Sequence, residues 1–118
     1  VSIFVLELGW NDALPGIPIT ETQQNLQDII DRVRAKNPDV KLVLAGMQVP
    51  PNMGRKYALD FQALFRELAE KNKTALIPFI LEGVGGVQNL NQSDGIHPTA
   101  EGHKILAENA WAVLKDLL

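Results

Sequence analysis

Ile3-Phe4-Val5-Leu6, followed across Glu7 by Leu8, opens the chain with a nearly continuous apolar run. A strand with one wet face alternates apolar and polar side chains, so a run without alternation predicts a strand covered on both faces. A polar loop containing glycine and proline follows to Ile19. Thr20-Glu21-Thr22-Gln23 then fits a capping box, with Thr20 as N-cap and Gln23 at the third helical position. Leu26, Ile29, Ile30 and Val33 recur at helical spacing, and Asn37-Pro38 stops the helix.

The same alternation repeats twice. Lys41 to Ala45 reads as a second strand, and a long turn through Pro50, Pro51, Asn52 and Gly54 leads to a helix with Phe61, Leu64, Phe65 and Leu68 on one face. Ala75-Leu76-Ile77 begins a third strand running toward Phe79-Ile80. A loop rich in glycine and asparagine comes next, and Thr99 caps a last helix that reaches Leu117, with Trp111, Leu114 and Leu117 as its core stripe. Strands alternating with helices of this length predict an α/β, doubly wound fold with a parallel sheet.

Composition narrows the function classes. The 118 residues suffice for one modest domain with a real core. A net charge of −3 gives no electrostatic case for nucleic acid. No cysteine is present, which excludes disulfides, thiolate catalysis and thiolate-bound zinc among these residues. No apolar run approaches the length of a membrane span.

Ligands of such sheets bind outside the carboxyl ends of the strands, and three loops leave those ends: Gly9 to Ile19, Gln48 to Arg55, and Glu82 to Pro98. The last carries Asp94-Gly95-Ile96-His97-Pro98. A carboxylate three residues before an imidazole can bond one ring nitrogen, fix the tautomer and leave the other nitrogen to take a proton from a nucleophile. An aspartate there can equally cap backbone N–H groups beside a surface histidine. The first loop carries Gly9-Trp10-Asn11-Asp12, where a side-chain amide can donate to a developing oxyanion, although Asn-Asp is also a common turn. Pro50, Asn52, Met53 and Gly54 suit either the wall of an acyl pocket or a rigid turn. Leu14, Pro15 and Ile17 suit either a flap over an apolar chain or an ordinary loop. His103, with Glu101 and Glu108, matches no compact metal-ligand spacing and is read as exposed helical charge. No metal and no cofactor is expected.

Leu6-Glu7-Leu8-Gly9-Trp10-Asn11-Asp12 resembles the G-x-N-D block of the SGNH (GDSL) hydrolases, and Asp94-Gly95-Ile96-His97-Pro98 resembles their D-x-x-H-P block. Between them, Val49 to Tyr57 is similar to the middle segment of the bacterial arylesterase and acyl-CoA thioesterase I group. The resemblance implies a flavodoxin-like three-layer αβα fold and a serine hydrolase of small acyl esters or thioesters, periplasmic or secreted. It also implies Asn11 as an oxyanion donor, His97 as general base, Asp94 as the acid that orients it, and a substrate site at Gly9, Trp10, Leu14, Pro50, Asn52 and Met53.

One feature departs from that family. Its nucleophile lies in a G-D-S block after the first strand, and no such block occurs here. The only serines are Ser2, at the strand end opposite the active rim, and Ser93, directly beside Asp94. The expectation is that residues 1–118 form the C-terminal two-thirds of a single hydrolase domain. An N-terminal segment of about 60–80 residues, the size of two βα units, would supply the serine and pair with the strand at residues 1–8. A catalytically silent binding module is the alternative.

Overall fold

A computed structural model describes residues 2–13, 15–49 and 53–118. The elements run β1 (Ile3–Leu6), α1 (Trp10–Ala13), α2 (Ile19–Lys36), β2 (Lys41–Ala45), α3 (Arg55–Asn72), β3 (Ala75–Ile77) and α4 (Ala100–Leu114), with short 3-10 turns at Gln88–Leu90 and Lys115–Leu117. The chain divides into two compact units, Val1–Pro78 and Phe79–Leu118.

The first unit is built on a parallel sheet in the order β1-β2-β3. Ile3 to Leu6 pair in register with Lys41 to Leu44, and Val43 to Ala45 with Ala75 to Ile77. The central strand explains its own composition: Leu42, Val43, Leu44 and Ala45 are all buried. Leu42 and Leu44 share a core with Leu6 of β1, Leu26 and Ile30 of α2, and Phe61, Leu64, Phe65 and Leu68 of α3. The helix periodicity seen in the sequence is therefore the stripe that closes one face of the sheet. Each of these side chains contributes about 1.5–3 kcal/mol by leaving water. A reciprocal amide pair ties the two helices, with Gln27 Nε2 donating to Asn72 Oδ1 and Asn72 Nδ2 to Gln27 Oε1, both at 2.8 Å.

Three details of the first unit differ from the sequence expectation. β1 is an edge strand whose Val5 is 41 % exposed, with Leu8 beyond the strand 56 % exposed, so its apolar run is not covered on both faces among the described residues. Helix α2 begins at Ile19 with Pro18 in the cap position, and Thr20 lies inside the first turn. Proline cannot donate but its carbonyl can accept, and Pro18 O takes the N–H groups of Glu21 and Thr22 at 3.0 and 3.3 Å. Strand β3 stops at Ile77 rather than continuing to Ile80, because Pro78 has no N–H to add to the ladder.

The second unit is a loop folded against one helix. Two asparagines hold the loop: Asn91 Nδ2 donates to the carbonyls of Val84 and Val87 at 2.9 Å each, and Asn109 Nδ2 to those of Ile80 and Glu82 at 3.0 and 2.9 Å. Thr99 caps α4 as expected, its hydroxyl accepting from Gly102 N at 3.2 Å. Of the expected core stripe, Leu114 and Leu117 stand and Trp111 does not. Ile105, Leu106, Asn109, Ala110, Val113, Leu114 and Leu117 are half-buried, whereas Trp111 shares the face of Ala107, Lys115 and Leu118 and is 54 % exposed.

Candidate active site

Asp94 and His97 meet within one tight turn. Gly95 takes φ +74°, a conformation open to glycine at little cost, and its N–H donates to Gln92 O at 2.9 Å. This chain reversal lets one carboxylate oxygen of Asp94 accept from the backbone N–H groups of Ile96 and His97 at 3.0 and 3.1 Å. The other oxygen lies 2.6 Å from His97 Nδ1. A carboxylate at that distance places the hydrogen on Nδ1 and leaves Nε2 to exchange protons. The imidazole is 71 % exposed, so Nε2 is accessible. The His97 side chain, then the two backbone N–H groups, hold the Asp94 carboxyl at about 2, below its ordinary 3.8. One carboxylate oxygen thus holds backbone N–H groups while the other bonds the ring, so the two geometries coexist.

The turn is braced from outside. Gln92 N donates to His97 O at 2.7 Å, Gln92 Nε2 to Pro98 O at 3.2 Å, and Thr99 N to Leu90 O at 2.9 Å. Asn91 forms an antiparallel bridge with Pro98 while its side chain holds the preceding loop. No spacing or motif singles out Asn91 or Gln92, although both are turn-associated polar residues adjoining the motif.

In the first unit, Asn11 lies on α1, a single helical turn rather than a simple reverse turn, and is exposed. Ala13 on the same turn is fully buried, and Trp10 packs against the core. Gly9 has φ +113°, and the space of its missing side chain is bounded by the Phe65 ring and the Thr22 methyl, both 3.5 Å away. An open groove of about 330 Å³ runs past this segment, lined by Leu8, Gly9, Trp10, Asn11, Thr22 and Leu26 among others. Gly9 and Trp10, two of the residues expected at a substrate site, thus line one groove together with Asn11. Met53 packs against the core of the same unit, while Leu14, Pro50 and Asn52 lie outside the described residues.

The serines are differently placed. Ser2 precedes β1, at the opposite end from Asn11, and its carbonyl accepts from Lys41 N at 3.0 Å. Ser93 is exposed beside Asp94, whose carboxylate already occupies His97 Nδ1. His103 stands exposed on α4, and among the described residues no three His, Asp or Glu side chains gather as a ligand set. Among those residues, too, no helix is long and apolar enough to cross a membrane.

Known proteins resemble this chain over nearly all its length. It is 45 % identical over 117 residues to esterase TesA of Pseudomonas aeruginosa, covering 99 % of this chain and 57 % of that protein. It is 35 % identical over 104 residues to thioesterase 1/protease 1/lysophospholipase L1 of Escherichia coli K12, covering 88 % of this chain and 49 % of that protein. A crystal structure of TesA superposes with a TM-score of 0.91 at 45 % identity, covering 99 % of this chain and 64 % of the TesA chain. The chain thus spans about half the length of the curated relatives it matches. The sequence model of the GDSL-like lipase/acylhydrolase family matches residues 2–105, and the chain belongs to that family.

Proposed function

We propose that this chain is part of a serine hydrolase of small acyl esters or thioesters, with His97 as general base, Asp94 as its orienting acid and Asn11 as an oxyanion donor. The observation that carries this is the 2.6 Å contact between Asp94 and His97 Nδ1, made while the second carboxylate oxygen is held by two backbone N–H groups. An imidazole fixed in this way presents Nε2 to a serine hydroxyl. It takes the proton as Oγ attacks the acyl carbonyl and returns it to the departing alcohol or thiol. Water then repeats the sequence on the acyl-serine. The Asn11 amide donates to the oxyanion that forms in both steps. Gly9, Trp10 and Met53, with Leu14, Pro50 and Asn52, are the proposed substrate contacts.

The nucleophile is proposed to come from a segment outside these 118 residues that pairs with the edge of β1 left without a strand among the described residues. The positions of Ser2 and Ser93 support this, as does the exposure of Val5 on that edge. The residues described here would then form one domain with that segment. A fluorophosphonate probe applied to the full-length protein tests the assignment. One serine outside residues 1–118 should label, and His97→Ala should suppress its labelling. Labelling of Ser2 or Ser93, or of no serine in the full-length protein, would overturn it, and the last result would favour a silent binding module.

A further inference from the structure

A single turn of helix does not hold itself, since nucleation is unfavourable and four residues cannot offset it. Helix α1, which carries Asn11, is such a turn. Its position must come from what holds its two ends, and α3 contributes at both, with α2 beside it at the first. On the N-terminal side, the Phe65 ring and the Thr22 methyl bound the space beside Gly9, each 3.5 Å from where a Cβ would stand. On the C-terminal side, Gly16 N closes a turn onto Ala13 O at 3.0 Å, and Ile17 O accepts a 2.7 Å hydrogen bond from the Tyr57 hydroxyl, 40 residues away in sequence. Tyr57, Phe61 and Phe65 lie four residues apart on α3, one above the other. Tyr57 stacks on Phe61 with ring centres 6.4 Å apart, and Phe61 meets Phe65 edge-on at 5.4 Å. Phe61 is fully buried, which fixes the middle of the ladder.

We infer that Tyr57 is a positioning residue for the Asn11 amide. Its phenol anchors the far end of the segment whose near end Phe65 supports, so that the three rings act as a clamp on the oxyanion donor. The inference rests on the role proposed for Asn11. Tyr57 itself touches neither nucleophile nor substrate in this scheme, and its effect passes through the carbonyl of Ile17.

A double-mutant cycle in the full-length protein tests this with p-nitrophenyl acetate. Tyr57→Phe keeps the ring stack and removes one hydroxyl, so kcat should fall about 3- to 10-fold, the range given by loss of one hydrogen bond. KM should stay within about twofold if the hydroxyl serves catalysis rather than substrate binding, and the melting temperature should fall by only a few degrees, as loss of one hydrogen bond dictates. Asn11→Ala should lower kcat by about 10²- to 10³-fold. The double variant should be no slower than Asn11→Ala alone, because Tyr57 acts only through that amide. Inhibition by a short-chain boronic acid, whose tetrahedral adduct needs the same donors, should weaken in step with kcat. Losses that multiply in the double variant, or a Tyr57→Phe enzyme indistinguishable from the parent, would overturn the inference alone. An Asn11→Ala enzyme of normal activity would remove the oxyanion role itself and the inference with it.

Discussion

The Asp94–His97 turn and the Asn11 segment are held in opposite ways. The carboxylate, amides and ring of the turn are at most three residues apart, and the strut nearest it, Asn91, reaches only to Val84 and Val87 of the preceding loop. The Asn11 turn is shaped by partners brought from far along the chain: Thr22 and Leu26 from α2, Phe65 and Tyr57 from α3. One half of the chemistry is therefore local and the other depends on the core. The first should survive damage to the packing of the first unit, and the second should not.

The largest effect tests the local half. Asp94→Asn in the full-length protein leaves the turn's length unchanged but replaces an acceptor by an amide that can donate to His97, favouring the wrong tautomer. Turnover of a p-nitrophenyl ester should fall about 10⁴-fold with the fold intact by circular dichroism. A loss below tenfold would mean the pair serves structure alone.

Next in size is damage to the core half. Phe65→Ala removes a ring that is 2 % exposed and supports Gly9, and should cost about 3–5 kcal/mol in denaturant unfolding. Under conditions where this variant stays folded, the Asp94 carboxyl should still titrate near 2. A rise toward the ordinary carboxylate value would show that the turn also depends on that core. Gly9→Ala comes third: φ +113° strains any side chain, and the expected cost is about 1–2 kcal/mol. A neutral substitution there would mean the backbone relaxes without loss, which thermal melting would reveal.

The smallest effect is a pH dependence. The folded-state value of Asp94, about 2, lies below the ordinary 3.8, so its pairing favours the folded turn above pH 3.8 and is lost as pH falls from there through 2. Carboxyl carbon NMR should record a midpoint near 2, and His97→Ala should raise it, because the His97 side chain is the largest cause of the depression. A midpoint near 3.8 in the parent protein would deny the pairing in solution.

The same contrast explains what the sequence disclosed. Asp94, Gly95 and His97 were legible because spacing, a turn glycine and a following proline together dictate a local geometry. The β2 run and the α3 stripe were legible because burial writes its period into the composition. Thr20 misled because Pro18, two residues earlier, imposes a start that capping preferences do not encode. Trp111 misled because a stripe of half-buried positions differs by one residue from an exposed one. The tie between Tyr57 and Ile17 left no local trace, since only the folded chain brings the two together. Asn11 was found through its place after a strand and through family resemblance. Its support on Gly9 and Phe65 could not be read from either.

The most direct test of the central claim compares two histidines in the full-length protein. His97→Ala should reduce hydrolysis of a short p-nitrophenyl ester by at least about 10³-fold, while His103→Ala, on the exposed face of α4, should leave it near normal. Equal rates for the two variants, whether both normal or both lost, would contradict the assignment of His97 as the base.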